Sequence, residues 1–327
     1  MTICKFRSLL LLLCLVPLTA FANYEEREDV QQFIAQMVTK HGFDRQKLHD
    51  MFSRAEKKDW VLKAIARPAE KTKTWAQYRS IFITDKRIDE GREFLRQHRE
   101  TLARAEQTYS VPAEIITAII GVETFYGQRS GSTRVLDSLT TLGFDYPPRS
   151  RFFLSELEQF LLLARDENID AGEIQGSYAG AMGMPQFISS SYRHYAVDFD
   201  GDGKRDLWNN PADVIGSVAN YFSTHGWRKG EPVTSRATVA TPDSIDKINN
   251  LKPHTSIGEL KLKGVTPLQS LDDDEMASVF RFDGESGDEY WLGLKNFYVI
   301  TRYNHSSMYA MAVYQLSREI LQKQADK

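Results

Sequence analysis

Ile115-Ile116-Thr117-Ala118-Ile119-Ile120-Gly121-Val122-Glu123-Thr124-Phe125-Tyr126-Gly127 is the stretch on which the fold turns. At 3.6 residues per turn it reads as a helix whose apolar stripe carries Ile116, Ile119, Ile120 and Tyr126, with Glu123 on the same stripe. A carboxylate in that setting is costly. It is tolerated when it stays protonated, the state a general acid needs near neutral pH, or when it is bonded to a buried arginine or amide. Glu123 is therefore the candidate catalytic residue, with a structural ion pair as the alternative. Pro112 fits the first turn of this helix, where its missing N–H costs nothing.

On the N-terminal side, Asp29 to Tyr109 is helical in pattern. Its stripes include Val30, Phe33, Ile34, Met37 and Val38, then Leu48, Met51, Phe52 and Ala55, and Arg67-Pro68 breaks the array. Trp75, Tyr78, Ile81 and Phe82 mark a further helix, and Ile88, Phe94, Leu95 and Leu102 another. On the C-terminal side, the turn Tyr146-Pro147-Pro148 leads to an apolar helix from Phe152 to Ala164. After the Gly-rich run Gly176 to Gly183 and an acidic loop, a helix spans about Pro211 to His225. From Glu231 to Ile300 the stripes fade, and alternation at Ser278 to Phe282, Tyr290 to Leu294 and Asn296 to Ile300 predicts strands. A last helix covers Ser306 to Leu321. The expectation is a mainly α (α+β) protein with one small β subdomain.

The acidic loop is Asp198-Phe199-Asp200-Gly201-Asp202-Gly203-Lys204-Arg205-Asp206-Leu207. Asp198, Asp200, Asp202 and Asp206 fall at positions 1, 3, 5 and 9 of an EF-hand, with Gly203 at the sharp turn and the Lys204 carbonyl at position 7. Four repelling carboxylates at this spacing call for a hard cation. Position 12 is Asn209 in place of the usual glutamate, so either Asn209 or Asp213 closes the shell. A structural Ca²⁺ is the expected cofactor, and no organic cofactor is expected.

The first residues read as an export signal: Lys5 and Arg7, the apolar run Leu9 to Leu18, and Ala20-Phe21-Ala22 before Asn23. Both cysteines, Cys4 and Cys14, lie in this segment, so a chain starting at Asn23 has no thiols. Cys14 after Leu11-Leu12-Leu13 leaves a lipid anchor as the alternative to soluble export, although Leu13 is bulky for such a site. Cleavage lowers the basic count from 41 to 39 against 44 acidic residues. No basic block with interleaved aromatics appears, which removes nucleic acid from the candidate partners. The seven histidines show no zinc-ligand spacing.

Four motifs occur in order: Gly121 to Gly127, Gly176-Ser177-Tyr178-Ala179-Gly180-Ala181-Met182-Gly183-Met184-Pro185-Gln186-Phe187, the Asp198 loop, and Thr301-Arg302-Tyr303-Asn304-His305-Ser306. Together they resemble the membrane-bound lytic murein transglycosylase B family over nearly the whole chain after the signal. The resemblance implies a lysozyme-like α core, an additional α domain, a small β domain and an EF-hand-like calcium loop. In residue numbers this gives 1–22 as signal peptide, 23–110 as N-terminal α domain and 111–230 as catalytic core, with the loop at 198–213. It gives 231–300 as the β-rich subdomain and 301–327 as the returning helix.

The implied reaction cleaves the β-1,4 bond between N-acetylmuramic acid and N-acetylglucosamine in peptidoglycan, leaving a 1,6-anhydro ring. Only Glu123 combines an apolar setting with a motif match. Asp137, Glu156 and Glu158 are near it in sequence, but Glu156 and Glu158 are expected on an exposed helix face. One acid suffices if the substrate's N-acetyl oxygen attacks the anomeric carbon. The resemblance also assigns Ser177 beside the acid, although Ser177 equally fits a turn. It assigns Gln186 and Phe187 to sugar contacts, and Tyr78, Tyr221, Tyr303 and Tyr309 to the groove, positions where a tyrosine alone reads as half-buried core. Arg149 is assigned to a lactyl or peptide carboxylate, with Pro148 departing from relatives that carry a second arginine. Asn304 orders the Tyr303 turn, and His305 caps the last helix. Peptidoglycan strands are the implied partner, with cell-wall synthases or amidases as protein partners of a periplasmic monomer, or of a lipid-anchored form at the outer membrane. A hydrolytic muramidase and a non-catalytic peptidoglycan scaffold are the competing functions.

Overall fold

Why the Glu123 helix is central is visible in its burial: every residue from Ile115 to Val122 in α7 (Ala113–Thr124) is buried, so helices must surround it. The structure, a computed structural model, describes residues 23–67, 72–241 and 250–325. The export segment with Cys4 and Cys14, and Pro68 of the expected break, lie outside them. The chain forms two compact units that divide between Ala55 and Glu56.

The first unit holds α1 (Glu28–His41) and α2 (Arg45–Ser53). Gly42 ends α1 at φ 68°, and the Asp44 side chain accepts from the Lys47 N–H at 2.8 Å to start α2. The predicted stripes meet: Val30, Phe33, Ile34, Met37, Leu48 and Phe52 are buried, with the Phe33 and Phe52 rings edge-to-face at 6.0 Å.

The second unit begins with α3 (Asp59–Ile65), α4 (Trp75–Phe82), α5 (Asp85–Gln97) and α6 (Arg99–Tyr109). Thr74 and Gln77 form a reciprocal capping box at the start of α4. Pro112 stands one residue before α7 in an extended conformation, and not in its first turn. A two-strand ribbon of β1 (Thr133–Arg134) and β2 (Gln175–Gly176) brackets α8 (Val135–Asp145) and α9 (Ser150–Asp166). The helices α10 (Ser189–Tyr195) and α11 (Pro211–Thr224) follow, with Asn210 capping α11 and Pro211 at its first position. α5, α6, α11 and the final helix α14 (Ser307–Ala325) pack on α7.

Glu156 corrects the expectation of an exposed charge. It is buried on α9, where its Oε2 accepts from the Ser190 N–H at 2.9 Å, satisfying one of the free donors at the start of α10. Asp137 is buried as well, held by Arg134 at 2.9 Å and by the Glu56 N–H at 2.9 Å.

The β subdomain is an antiparallel sheet in the order β4-β6-β7-β3-β5, built from β3 (Thr234–Val239), β4 (Thr255–Ser256), β5 (Val265–Pro267), β6 (Met276–Gly284) and β7 (Gly287–Gly293). β6 and β7 form a hairpin in which Phe280 faces Trp291. α12 (Ile257–Leu262) covers the sheet, and Ala237, Ile257, Leu260, Val265, Ala277, Leu292 and Leu294 make its own small core. The third predicted strand, Asn296 to Ile300, is helix α13 (Lys295–Tyr303) instead. Asn296, Phe297, Ile300 and Thr301 are buried at helical spacing, and the Asn296 amide bridges the Arg228 and Glu231 backbone.

Gly121 shows how tightly the C-terminal end of α7 is packed. A Cβ there would sit 2.6 Å from the Tyr126 ring. Gly121→Ala is expected to destabilise the protein by about 1–3 kcal/mol through overpacking, read as a lower urea midpoint with an unchanged slope. An unchanged midpoint would mean that Tyr126 moves freely.

Candidate active site

Glu123 is the next-to-last residue of α7 and half-buried, and the negative end of the helix dipole disfavours a charge on it. Tyr126 is not on the helical stripe as expected. The helix stops at Thr124, and Phe125 (φ 53°), Tyr126 (φ 59°) and Gly127 (φ 89°) follow in the left-handed region. Each non-glycine residue there costs about 1–2 kcal/mol, so the surroundings must hold the turn. The Tyr126 hydroxyl donates to the Arg87 carbonyl at 2.8 Å. Arg87 is buried, donates from Nε to the Gly121 carbonyl at 3.1 Å and lies 4.7 Å from the Phe125 ring centre. Thr124 Oγ1 donates to the Met184 carbonyl at 2.8 Å, which ties the end of α7 to the Gly-rich loop.

Tyr309, in the first turn of α14, donates its hydroxyl to Glu123 Oε1 at 2.5 Å. Burial pushes the Tyr309 phenol well above its ordinary range and the Glu123 carboxylate adds to the shift, so the phenol stays a donor. Tyr303 is held neutral in the same way, by burial first and Glu123 second, and donates to the Pro185 carbonyl at 2.6 Å. Burial also raises the Tyr221 phenol, which donates to the Arg302 carbonyl at 2.5 Å. The Tyr221 and Tyr303 rings are 4.8 Å apart. Phe187, 2% exposed, lies 5.7 Å from Tyr221 and 5.8 Å from Tyr303, so it supports these rings from within. Tyr78 is buried, stacks on Trp75 and lies within electrostatic reach of Tyr309. Gln186 takes φ 51°, and its Nε2 donates to the Ser130 and Gly183 carbonyls at 3.0 and 2.9 Å, which leaves Oε1 as an acceptor. A carboxyl with one oxygen held by a neutral phenol can release a proton from the other oxygen and take one back.

The acidic loop brings ligand oxygens of Asp198, Asp200 and Asp202 within 4.8 Å of one another. Gly201 and Gly203, at φ 81° and 89°, turn the backbone so that the Gly201, Asp202 and Gly203 N–H groups point to Asp198. Lys204 donates its N–H to Asp202 at 2.8 Å. Asp206 accepts from the Trp208 and Asn209 N–H groups and from the Asn209 amide, so both of these predicted loop residues are engaged with each other. Asp213 is fully buried and accepts from the Phe199 and Asp206 N–H groups at 2.7 and 2.8 Å, joining the two ends of the loop. Three converging carboxylates on a glycine-turned loop are the donor set of a hard, oxygen-preferring cation.

A family model described as a transglycosylase SLT domain matches residues 25–318. The chain belongs to the SLT transglycosylase family. Membrane-bound lytic murein transglycosylase B of Escherichia coli (strain K12) is 48% identical over 307 residues, covering 91% of this chain and 84% of that protein. Soluble lytic transglycosylase SltB1 from Pseudomonas aeruginosa superposes with a TM-score of 0.85 at 52% identity, covering 91% of this chain and 99% of that one. Escherichia coli Slt35 in complex with calcium superposes at 0.83 with 49% identity, covering 90% and 93%.

Within this SLT transglycosylase, the other expected site residues have contacts of their own. Ser177 Oγ accepts from the Ala179 and Ala181 N–H groups at 3.3 and 3.0 Å, which is the turn role. Arg149 is exposed, its guanidinium 4.4 Å over the Phe152 ring and 5.1 Å from Phe153. Asn304 is exposed at the junction of α13 and α14. The last helix is capped by Ser306, whose Oγ accepts from the Tyr309 N–H, and not by His305. Thr124 and Arg87 are the residues that sequence reasoning missed. A threonine at a helix end and an arginine in an amphipathic helix carry no signal of a distant carbonyl.

Proposed function

We propose that Glu123 acts alone as acid and then base in a lytic transglycosylase reaction on peptidoglycan, with Tyr309 as its hydrogen-bond partner. Glu123 gives its proton to the glycosidic oxygen as the bond to the anomeric carbon breaks, and the substrate's N-acetyl oxygen forms a bond to that carbon. The resulting carboxylate, steadied by the Tyr309 hydroxyl, takes the proton from the C6 hydroxyl. O6 then displaces the acyl oxygen at the anomeric carbon, the anhydro ring closes, and Glu123 is protonated again without water being consumed.

One observation carries this reading. The buried carboxylates nearest in sequence, Asp137 and Glu156, are bound into other structure, whereas Glu123 sits against neutral phenols. In this scheme Tyr78, Tyr221 and Tyr303 wall the groove, Gln186 Oε1 and Ser177 meet polar groups of the sugar, Phe187 backs the wall, Arg149 meets a carboxylate of the substrate, and Asn304 sets the Tyr303 turn. The proposed core is 111–230, with the helix that follows 301 returning to it. Mass spectrometry of muropeptides released by the purified protein tests the assignment: ends lighter by one water than hydrolytic products are expected. Hydrated ends would make the protein a muramidase, and no release would make it a scaffold.

The loop is proposed to hold a structural Ca²⁺ through Asp198, Asp200, Asp202, the Lys204 carbonyl and Asp206, with Asp213 bracing its ends. Calcium bound there would neutralise the converging carboxylates and lock the loop to α11. A ligand at a hundredfold excess over Kd stabilises by about 2.7 kcal/mol. A rise in Tm of roughly 5–10 °C with calcium over chelator is expected, given about 2–4 °C per kcal/mol for domains of this size, and Asp202→Asn should remove it. Melting curves that ignore the chelator would refute the site. We propose that the protein acts on glycan strands in the periplasm after cleavage near Ala22. No helix of the described residues is long and apolar enough to cross a membrane.

A further inference from the structure

A cavity of about 490 Å³ opens where α4 and α14 meet the β6–β7 hairpin, and Glu123 does not line it. On α14 its lining residues, Tyr314, Gln315, Arg318, Glu319 and Gln322, face roughly 150° away from Tyr309 at 100° per residue. On α4 the cavity takes Trp75, Ala76 and Arg79, while Tyr78 points about 105° away from their mean direction. α14, which brings Tyr309 to the acid, and α4, which carries Tyr78, thus also line a second surface.

The chemistry of that surface is mixed in charge. Arg79, Arg236 and Arg318 face Glu285, Glu289 and Glu319 around one mouth. Arg236 and Glu289 pair at 3.1 Å, but Arg79, Arg318, Glu285 and Glu319 make no ion pair among the described residues. Arg79 gives its Nε to Gln315 at 2.6 Å, which leaves the rest of its fork for another acceptor. The wall is aromatic: Trp291 and Tyr314 meet edge-on at 6.4 Å. Trp75 is buried, and its indole N–H has no partner among the described residues. A buried donor without a partner costs about 1–3 kcal/mol.

We infer that this cavity is a second substrate site, which takes a zwitterionic stem peptide of peptidoglycan while Glu123 works on the glycan. The inference rests on the proposed substrate. A polyanion or a polycation would meet like charge here, whereas a short peptide carrying both carboxylates and an ammonium matches arginines and glutamates at the same mouth. The volume lies in the range of small-ligand sites. The hairpin supplies Glu285, Glu289 and Trp291 and β3 supplies Arg236, so the β subdomain would hold the cross-linked part of the polymer against the core.

The test is a calorimetric titration of the full protein with a synthetic sugar-free stem tetrapeptide containing a diamino acid. Binding to the native protein and to Glu123→Gln with the same Kd, and at least tenfold weaker binding to Arg79→Gln/Arg318→Gln, is expected. On intact sacculi the double variant should show a KM raised roughly three- to tenfold at unchanged kcat, and on amidase-stripped glycan it should match the native protein. Glu319→Gln, with a melting temperature checked against the native protein, gives an independent reading with the same direction. Peptide affinity unaffected by these substitutions, or a KM defect that persists on stripped glycan, would overturn the site. Neither result depends on the catalytic assignment, which fails separately if Glu123→Gln retains turnover.

Discussion

Glu123→Gln is expected to lower kcat on purified sacculi by about 10³-fold, within the roughly 10²–10⁴-fold that general acid–base catalysis supplies. Glutamine keeps the shape of the side chain and can still accept from the Tyr309 hydroxyl that reaches Glu123 at 2.5 Å. The fold should therefore survive, with Tm within a few degrees of the native protein. That combination separates a catalytic role from a structural one. Were Glu123 chiefly a brace for the turn at Phe125 and Tyr126, the variant would lose stability and keep its rate per folded molecule.

Tyr309→Phe carries the second large effect. Its hydroxyl favours the carboxylate form of Glu123, the form that must exist between the two proton transfers, and burial keeps the phenol itself protonated. Removing the donor leaves the ionised state less stable, so kcat should fall about tenfold to a hundredfold, the scale of a charge-assisted hydrogen bond worth roughly 1.5–3 kcal/mol. The direction of the pH effect follows. Without its donor the carboxyl holds its proton to higher pH, so the alkaline limb of kcat/KM, where the acid is lost, should move upward. A limb that stays in place while the rate falls would assign Tyr309 to sugar contact alone. A limb that moves down would contradict the hydrogen-bond account.

Much of the site could be read from the chain because its signals are local. The apolar run around Glu123, the Asp198 loop spacing and the helix patterns before α7 depend on residues close in sequence, and helical or loop geometry turns such spacing directly into position. The α+β class followed from the same stripes. The errors arose where a distant partner decides. Asn296 to Ile300 alternates like a strand, yet the Asn296 amide finds the Arg228 and Glu231 backbone, and a helix buries that face. Glu156 reads as an exposed charge until α10 brings its free N–H groups to it. Tyr126 extends the Glu123 stripe by spacing alone, but a run of left-handed residues turns it back toward Arg87. His305 and Ser306 are neighbours, and only the backbone geometry decides which one caps α14. The tyrosine wall lay between these cases: Tyr303 and Tyr309 are close in sequence, while Tyr78 and Tyr221 join them only through packing.

In the proposed reaction no water enters the bond that is broken at Glu123. The direct measurement is digestion of sacculi in water enriched in heavy oxygen, followed by mass analysis of the new muramic ends. The account predicts anhydro ends with no label. Labelled, hydrated ends would show that solvent, and not the C6 hydroxyl, completes the reaction, and would contradict it.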